Sequence, residues 1–392
     1  MKAKLHIPSS RIRGARSVIA AAALAVMAGW AAPQAQAQEK TFVIGCSLPL
    51  SGPLVGFGEP MKEGAQFAVD TYNEAKALPE AKFVLQCYDS KADPKETINI
   101  AERLADQADV IASISDFSST ATMAAADTYE RAGLLQMTPS ASHPDLTKMN
   151  DWMFRASETV NVYVPPMADF IIDKLGKKKV AVLQVQTDWG LAVADAFTKQ
   201  LEERGGELVQ QSVYKEGTTD FRAIITQLKR AQPEAIYLAM LEEEAANFAK
   251  QLKQLGMGDI PVVDSAVGVT PRSVGLAGGA MEGWYLATIF NPNNPDPNVQ
   301  NFIKGFEAKY NRKADVWSAY GFDAATLIMQ AATRAWPDVT RERVRDELAN
   351  NTKDYKGANG DLSIDPETRE VSRQHIFVSQ VKDGKIQTVA EN

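Results

Sequence analysis

The chain has two cysteines and three histidines in 392 residues, and that scarcity removes several kinds of chemistry at once. Cys46 and Cys87 are 41 positions apart, and neither His143 nor His375 has a second ligand three or four residues on, so no metal site is expected. No G-x-S-x-G occurs, which removes the nucleophile elbow of serine hydrolases; a triad built on Ser119 or Ser142 would have to recruit His143. The stretch GFGEPM (Gly56–Met61) fails G-x-G-x-x-G at its third glycine, and no G-x-x-x-x-G-K exists, so the usual phosphate-cradling loops are missing and no cofactor is expected. Internal repeats are also missing, which disfavours a solenoid or propeller.

Long apolar runs are limited to VIAAAALAVMAGWAA (Val18–Ala32), about 15 residues where a membrane span needs roughly 20. Five Lys/Arg and no acid precede it, and Ala-Gln-Ala follows at Ala35–Ala37. This is the pattern of a secretory signal peptide over 1–37, cleaved after about Ala37, and it implies export to a periplasm. Loss of its five positive charges takes the net charge from −7 to about −12, which argues against nucleic acid or an anionic membrane surface as partner. The remaining 355 or so residues exceed one core of ordinary size and suggest two domains. Export permits Cys46 and Cys87 to pair. They end two expected strands, FVIGC and FVLQC, where a bond and two buried thiols both remain open.

Short Val/Ile/Leu-rich runs alternate with amphipathic runs, the rhythm of β-α-β units around a parallel sheet. One set places strands near 41–48, 82–88, 109–114 and 133–138, with helices near 59–76, 94–107 and 119–131. A second places strands near 179–185, 207–213, 235–240 and 260–264, with helices near 161–175, 189–204, 219–230 and 242–255. The expected fold class is therefore α/β, with two doubly wound parallel-sheet lobes in series. NPNNPDPN (Asn291–Asn298) forbids regular structure. Helices resume near 296–311, 316–335 and 340–350, and Asp383-Gly384 signals a closing hairpin.

The hydroxyl-rich stretch SDFSSTATMAAA (Ser115–Ala126) falls where a strand passes into a helix. Free N–H groups at that helix start attract an anion to which Ser118 or Ser119 can also donate, while the plainer role for either is an N-cap. Ser140 and Ser142 of MTPSASHPDL follow the next strand at the same carboxyl edge of the sheet, where open α/β sheets bind their ligands.

Six segments in order resemble the periplasmic binding proteins of branched-chain amino acid ABC importers. They are IGCSLPLSGPLVGFGEPMKEGAQFAVDTYNEA, YDSKADPKETINIAERL, FSSTATMAAADTYERAGLLQMTPSASHPDL, FRASET, DWGLAVADAFTKQLEERGGELV and DFRAIITQLKRAQPEAIYL. The likeness covers essentially all of the chain after the signal segment. It implies two lobes, 38–158 with 289–369 and 159–288 with 370–392, joined by three crossovers near 156–160, 287–290 and 368–372. It also implies a ligand held between the lobes, hinge closure, and an ABC permease of the inner membrane as partner. On this reading the protein is a monomer without enzymatic activity.

By the same resemblance, Ser119, Ser140 and Ser142 hold the ligand's carboxylate, Phe57 meets its side chain, and Trp189 closes over it from the second lobe. The chain departs from the pattern twice. Leu241 stands where the relatives have an aromatic, and Ala266 stands where they place the acid that pairs with a ligand ammonium. Asp264, Asp116 and Glu242 are the candidates to replace that acid. A small hydrophobic or aromatic carboxylate without an amino group therefore stands beside the amino acids as an expected ligand. A periplasmic ligand sensor of the same fold is the alternative, and a serine hydrolase a more distant one.

Overall fold

A computed structural model describes Met1, residues 40–372 and 376–391; the expected signal peptide beyond Met1, with its cleavage site, and His375 lie outside the described residues. Five strands form the first sheet: β1 (Lys40–Leu48), β2 (Ala81–Asp89), β3 (Val110–Ser115), β4 (Leu135–Thr138) and β5 (Met153–Arg155), in the order β2-β1-β3-β4-β5. The β1–β3, β3–β4 and β4–β5 pairs are parallel. Its first three helices are α1 (Val55–Glu74), α2 (Pro94–Ala105) and α3 (Ser119–Arg131).

After β5 the chain leaves this sheet through α4 (Val160–Tyr163) and α5 (Pro165–Asp173). One helix was expected over 161–175; Pro165 and Pro166 interrupt it because neither has an N–H to continue the hydrogen-bond ladder of α4, although Val164 between the two helices keeps helical backbone. The second sheet follows as β6 (Lys179–Val185), α6 (Asp188–Glu203), β7 (Glu207–Tyr214), α7 (Arg222–Ala231), β8 (Ala235–Ala239), α8 (Glu242–Gln254), β9 (Val262–Asp264), α9 (Pro271–Ala277) and β10 (Tyr285–Thr288). The central run VAVL of β6 is apolar because both faces are covered. Val180 and Val182 enter one buried cluster, Ala181, Leu183 and Val185 the other.

The chain then returns to the first sheet. Helices α10 (Pro297–Tyr310), α11 (Val316–Ala335) and α12 (Arg341–Asn351) come next, followed by a small hairpin, β11 (Tyr355–Gly357) and β12 (Gly360–Leu362). Helix α11 lies against α1 at backbone distance. A Cβ on Gly64 would come within 1.9 Å of the Ser318 carbonyl oxygen, and one on Gly321 within 1.9 Å of the Met61 carbonyl oxygen, so glycine is required at both positions. The core of the first sheet accordingly mixes Phe42, Ile44 and Ile114 with Ala324, Leu327, Ile328 and Leu348.

A last passage carries the chain to β13 (Phe377–Lys382) and β14 (Lys385–Glu391), which complete the second sheet in the order β14-β13-β10-β9-β8-β6-β7. Both new pairings, β10–β13 and β13–β14, are antiparallel. Three passages therefore run between the sheets: after β5, after β10, and between β12 and β13. Cys46 on β1 and Cys87 on the neighbouring β2 are joined by a disulfide, with Cα atoms 4.2 Å apart. No helix among the described residues is long and apolar enough to cross a membrane.

Candidate functional site

The loops at the carboxyl ends of the parallel strands meet between the two sheets. Leu48, Leu54, Phe57, Met61 and Trp317 of the first lobe share one buried cluster with Leu241 and Val267 of the second, and Trp189 packs against it. Thr120, in the first turn of α3, donates its hydroxyl hydrogen to Asp188 Oδ2 at the start of α6 over 2.7 Å, a direct hydrogen bond from lobe to lobe. A cavity of about 290 Å³ opens beside the cluster, with Leu54 and Phe57 on one wall and Leu241 and Glu242 on the other.

The two adjacent serines that open α3 have different roles. Ser118 is the N-cap, in extended backbone, and its Oγ accepts from the Ala121 N–H at 3.4 Å. Ser119 is the first helical residue, only 2% exposed, and its Oγ has no hydrogen-bond partner. A buried hydroxyl left unpaired is costly and calls for an explanation. Here it stands among the free N–H groups of a helix N-terminus, where a bound anion is favoured.

The other hydroxyl cluster is tied to the second lobe. Ser142 Oγ lies 2.9 Å from the Tyr163 hydroxyl, and the Trp189 indole Nε1 donates to that same oxygen at 3.0 Å. Burial pushes the Tyr163 phenol up to about 12, so it stays protonated and can donate to Ser142. Ser140 is half-buried, with its Oγ 3.8 Å from Met61 Sδ. His143 Nδ1 accepts from the Asp145 N–H at 3.2 Å, while the Ser119 hydroxyl has no partner and the Ser142 hydroxyl pairs with Tyr163.

Phe57 sits inside α1, not in the preceding loop, and is fully buried. Its ring stacks on Phe117 with centroids 4.5 Å apart and meets Trp317 edge-on at 5.0 Å. Sequence reasoning missed Phe117, Trp317 and Tyr163. Phe117 adjoins the serine pair and could have been included on that ground. Trp317 is 260 positions from Phe57 and only tertiary packing brings it near. Leu241 is the N-cap of α8 and faces Phe57 in the shared cluster. Ala266 has φ +86, a conformation that an L-residue with a Cβ adopts at a cost.

Asp264 holds that loop in place. Its Oδ2 accepts from the N–H groups of Ala266, Gly268 and Val269 at 2.9, 3.1 and 3.2 Å, while burial raises its carboxyl to about 7. Asp116, a second candidate for pairing with a ligand ammonium, is directed into its own lobe. It accepts from Ser47 and Thr97 hydroxyls at 3.4 and 3.3 Å and from the Phe117 and Ser118 N–H groups at 2.6 and 3.4 Å, with burial raising it to about 6. Glu242 accepts from the Thr270 hydroxyl and pairs with Arg272 at 3.2 Å. Burial raises its pKa, and Thr270 and Arg272 oppose that rise. No cluster of three or more His, Cys, Asp or Glu able to hold a metal ion occurs among the described residues.

Two α/β lobes meeting at the carboxyl ends of their strands, with a buried cleft and an unpaired hydroxyl at a helix start, define a two-lobed solute-binding protein. A family model described as "Periplasmic binding protein" matches residues 41–385, and the chain belongs to that family. The leucine-, isoleucine-, valine-, threonine- and alanine-binding protein of Pseudomonas aeruginosa is 28% identical over 326 residues, 83% of this chain and 86% of that one. The leucine-binding protein LivK of Thermotoga maritima superposes with a TM-score of 0.83 at 26% identity, over 89% of this chain and 98% of that one. The branched-chain amino acid transporter substrate-binding protein LivJ of Streptococcus pneumoniae, solved with isoleucine, superposes at 0.82 and 26% identity, over 90% and 99%.

Proposed function

We propose that this protein captures a small hydrophobic or aromatic carboxylate or amino acid between its lobes and delivers it, lobes closed, to an ABC permease of the inner membrane. Export with cleavage after Ala37, a monomeric state and the lack of catalytic activity belong to the same reading. Ser119 and the N-terminus of α3 receive the carboxylate, with Ser118, Ser140 and Ser142 beside them. Phe57, Trp189 and Leu241 enclose the apolar part, next to Ala266. The lobes, 38–158 with 289–369 and 159–288 with 370–392, turn about the three passages between the sheets. The buried and unpartnered Ser119 hydroxyl is the observation that carries this reading.

Ser119→Ala should therefore separate binding from folding. A hydrogen bond to a charged group contributes about 1.5–3 kcal/mol, so calorimetry should show affinity falling roughly tenfold or more. The Tm of the ligand-free protein should hold or rise, because the substitution removes an unpaired buried hydroxyl. Unchanged affinity would leave Ser119 without a ligand role.

Closure makes a separate prediction, read by small-angle scattering. The radius of gyration should shrink when ligand saturates the protein. Identical profiles with and without a ligand whose binding calorimetry has confirmed would contradict the hinge.

A further inference from the structure

We propose, on the hinge-closure reading above, that Gly56 and Glu242 form the contact at which closure stops, so that residue 56 sets how far the cleft can shut around its ligand. Gly56 is the second residue of α1 in the first lobe, and Glu242 opens α8 in the second. A Cβ on Gly56 would lie 3.0 Å from Glu242 Oε2, and the next atoms it would meet, Arg272 Cδ and Glu242 Cδ, are both 3.9 Å away. All three belong to the second lobe. Gly58 and Gly64 on the same helix differ, because there the clashing backbone is that of Pro49 and Ser318 in the first lobe itself. Nor does the local backbone call for glycine at 56, which is helical and without a positive φ; glycine is among the poorest helix formers. The first lobe alone therefore has room for a side chain at 56, and the second lobe removes it.

Glu242 is held against retreat. Its Oε1 accepts from the Thr270 hydroxyl and its Oε2 pairs with Arg272 at 3.2 Å, while Arg272 is tied in turn to Glu243. The buried carboxylate is thus a fixed surface on which the start of α1 comes to rest. Electrostatics favours the meeting, because α1 has neither a side-chain cap nor an acid in its first turn, and negative charge beside a helix N-terminus is stabilising. The adjoining residues, Phe57 on one side and Leu241 on the other, form opposite walls of the cavity. The separation of Gly56 and Glu242 therefore fixes the spacing of those walls, and a larger residue at 56 would hold them apart around a small ligand. Gly56 acts on the ligand through these neighbours and is a positioning residue.

The test uses the exported protein, freed of co-purifying ligand by unfolding and refolding, with leucine, phenylalanine, 4-methylpentanoate and 3-phenylpropanoate as probes in titration calorimetry. Gly56→Leu should weaken each probe that binds the parent by about tenfold or more. Small-angle scattering should give the probe-saturated variant a larger radius of gyration than the probe-saturated parent, and the Tm of the ligand-free variant should hold or rise. In a Glu242→Ala background, where the opposing carboxylate is gone, Gly56→Leu should cost about threefold or less, the non-additivity expected of residues in contact. Gly56→Ala should show a smaller loss with the same relief, since its Cβ displaces only the end of the Glu242 side chain, and it serves in the same cycle if Gly56→Leu does not fold. Unchanged affinity in the residue-56 variants, or an equal loss in both backgrounds, overturns the proposal while the parent's compaction leaves the hinge standing. A parent that binds a probe without compacting, or binds none of the four, overturns capture by closure and this proposal with it.

Discussion

Glu370→Ala should lower the unfolding free energy by about 3 kcal/mol, near the lower end of the range for breaking a buried ion pair, because Glu370 itself is a quarter exposed. Its partner is Arg155, at the end of β5 and 0% exposed, whose Nε lies 3.0 Å from Glu370 Oε2. Burial lowers the Arg155 pKa and Glu370 opposes that shift. Truncation leaves the guanidinium in place without its carboxylate, and also removes the acceptor of the Thr147 hydroxyl at 2.7 Å.

In a chain of this size each kcal/mol moves Tm by about 2 °C, so calorimetry should register a drop of roughly 6 °C. The double variant Arg155→Met/Glu370→Leu should cost less than Glu370→Ala alone, because it removes both charges and fills their space. A double variant as damaged as the single one would show that Arg155 acts through its other bonds. Those bonds reach the carbonyls of Ala141 and His143 at 3.4 and 2.8 Å, on either side of Ser142. The ion pair thus links the passage near residue 370 to the loop proposed to hold the ligand, and ligand affinity should fall with stability.

What could be read from the chain depended on how local its cause was. Strand β6 was legible because burial on both faces leaves a continuous apolar run. The start of α1 was not. Pro60 suggests a first helical position near residue 59, yet the helix begins at Val55. Gly58 explains the shift, since a Cβ there would come within 1.9 Å of the Pro49 carbonyl oxygen; this contact between helix and preceding loop has no local sequence pattern. The return of α10–α12 to the first sheet was likewise implied only by the family resemblance.

In the site, residue type was informative and direction was not. The serine pair was legible as a cap or an anion clamp, and only the fold assigned the cap to Ser118 and left Ser119 unpaired. Asp116 follows Ser115, which pairs with Ser47 in the register of β1 and β3, and the Ser47 hydroxyl is one of its partners. That register turns the acid into its own lobe. Ala266 was marked by the resemblance as a missing acid; its left-handed backbone depends on the Asp264 bonds, and alanine carries no signal for it.

Loss of the Cys46–Cys87 bond should have the largest effect on stability. The bond closes a 41-residue loop, for which the chain-entropy account gives about 4 kcal/mol of stabilisation, acting on the unfolded chain. Cys46→Ala/Cys87→Ala should therefore melt roughly 8 °C lower than the parent. If the bond acts on the unfolded state, native affinity should change little. The location of the bond allows the opposite. Cys46 is fully buried in the same cluster as Leu48, Phe57 and Trp317, and Cys87 packs against it, so the bond could also shape the cleft wall. Two measurements on the double variant separate these roles. A lower Tm with unchanged affinity assigns the bond to stability alone; affinity that falls at unchanged Tm would mean it positions Phe57 and its neighbours, and would contradict the entropic account.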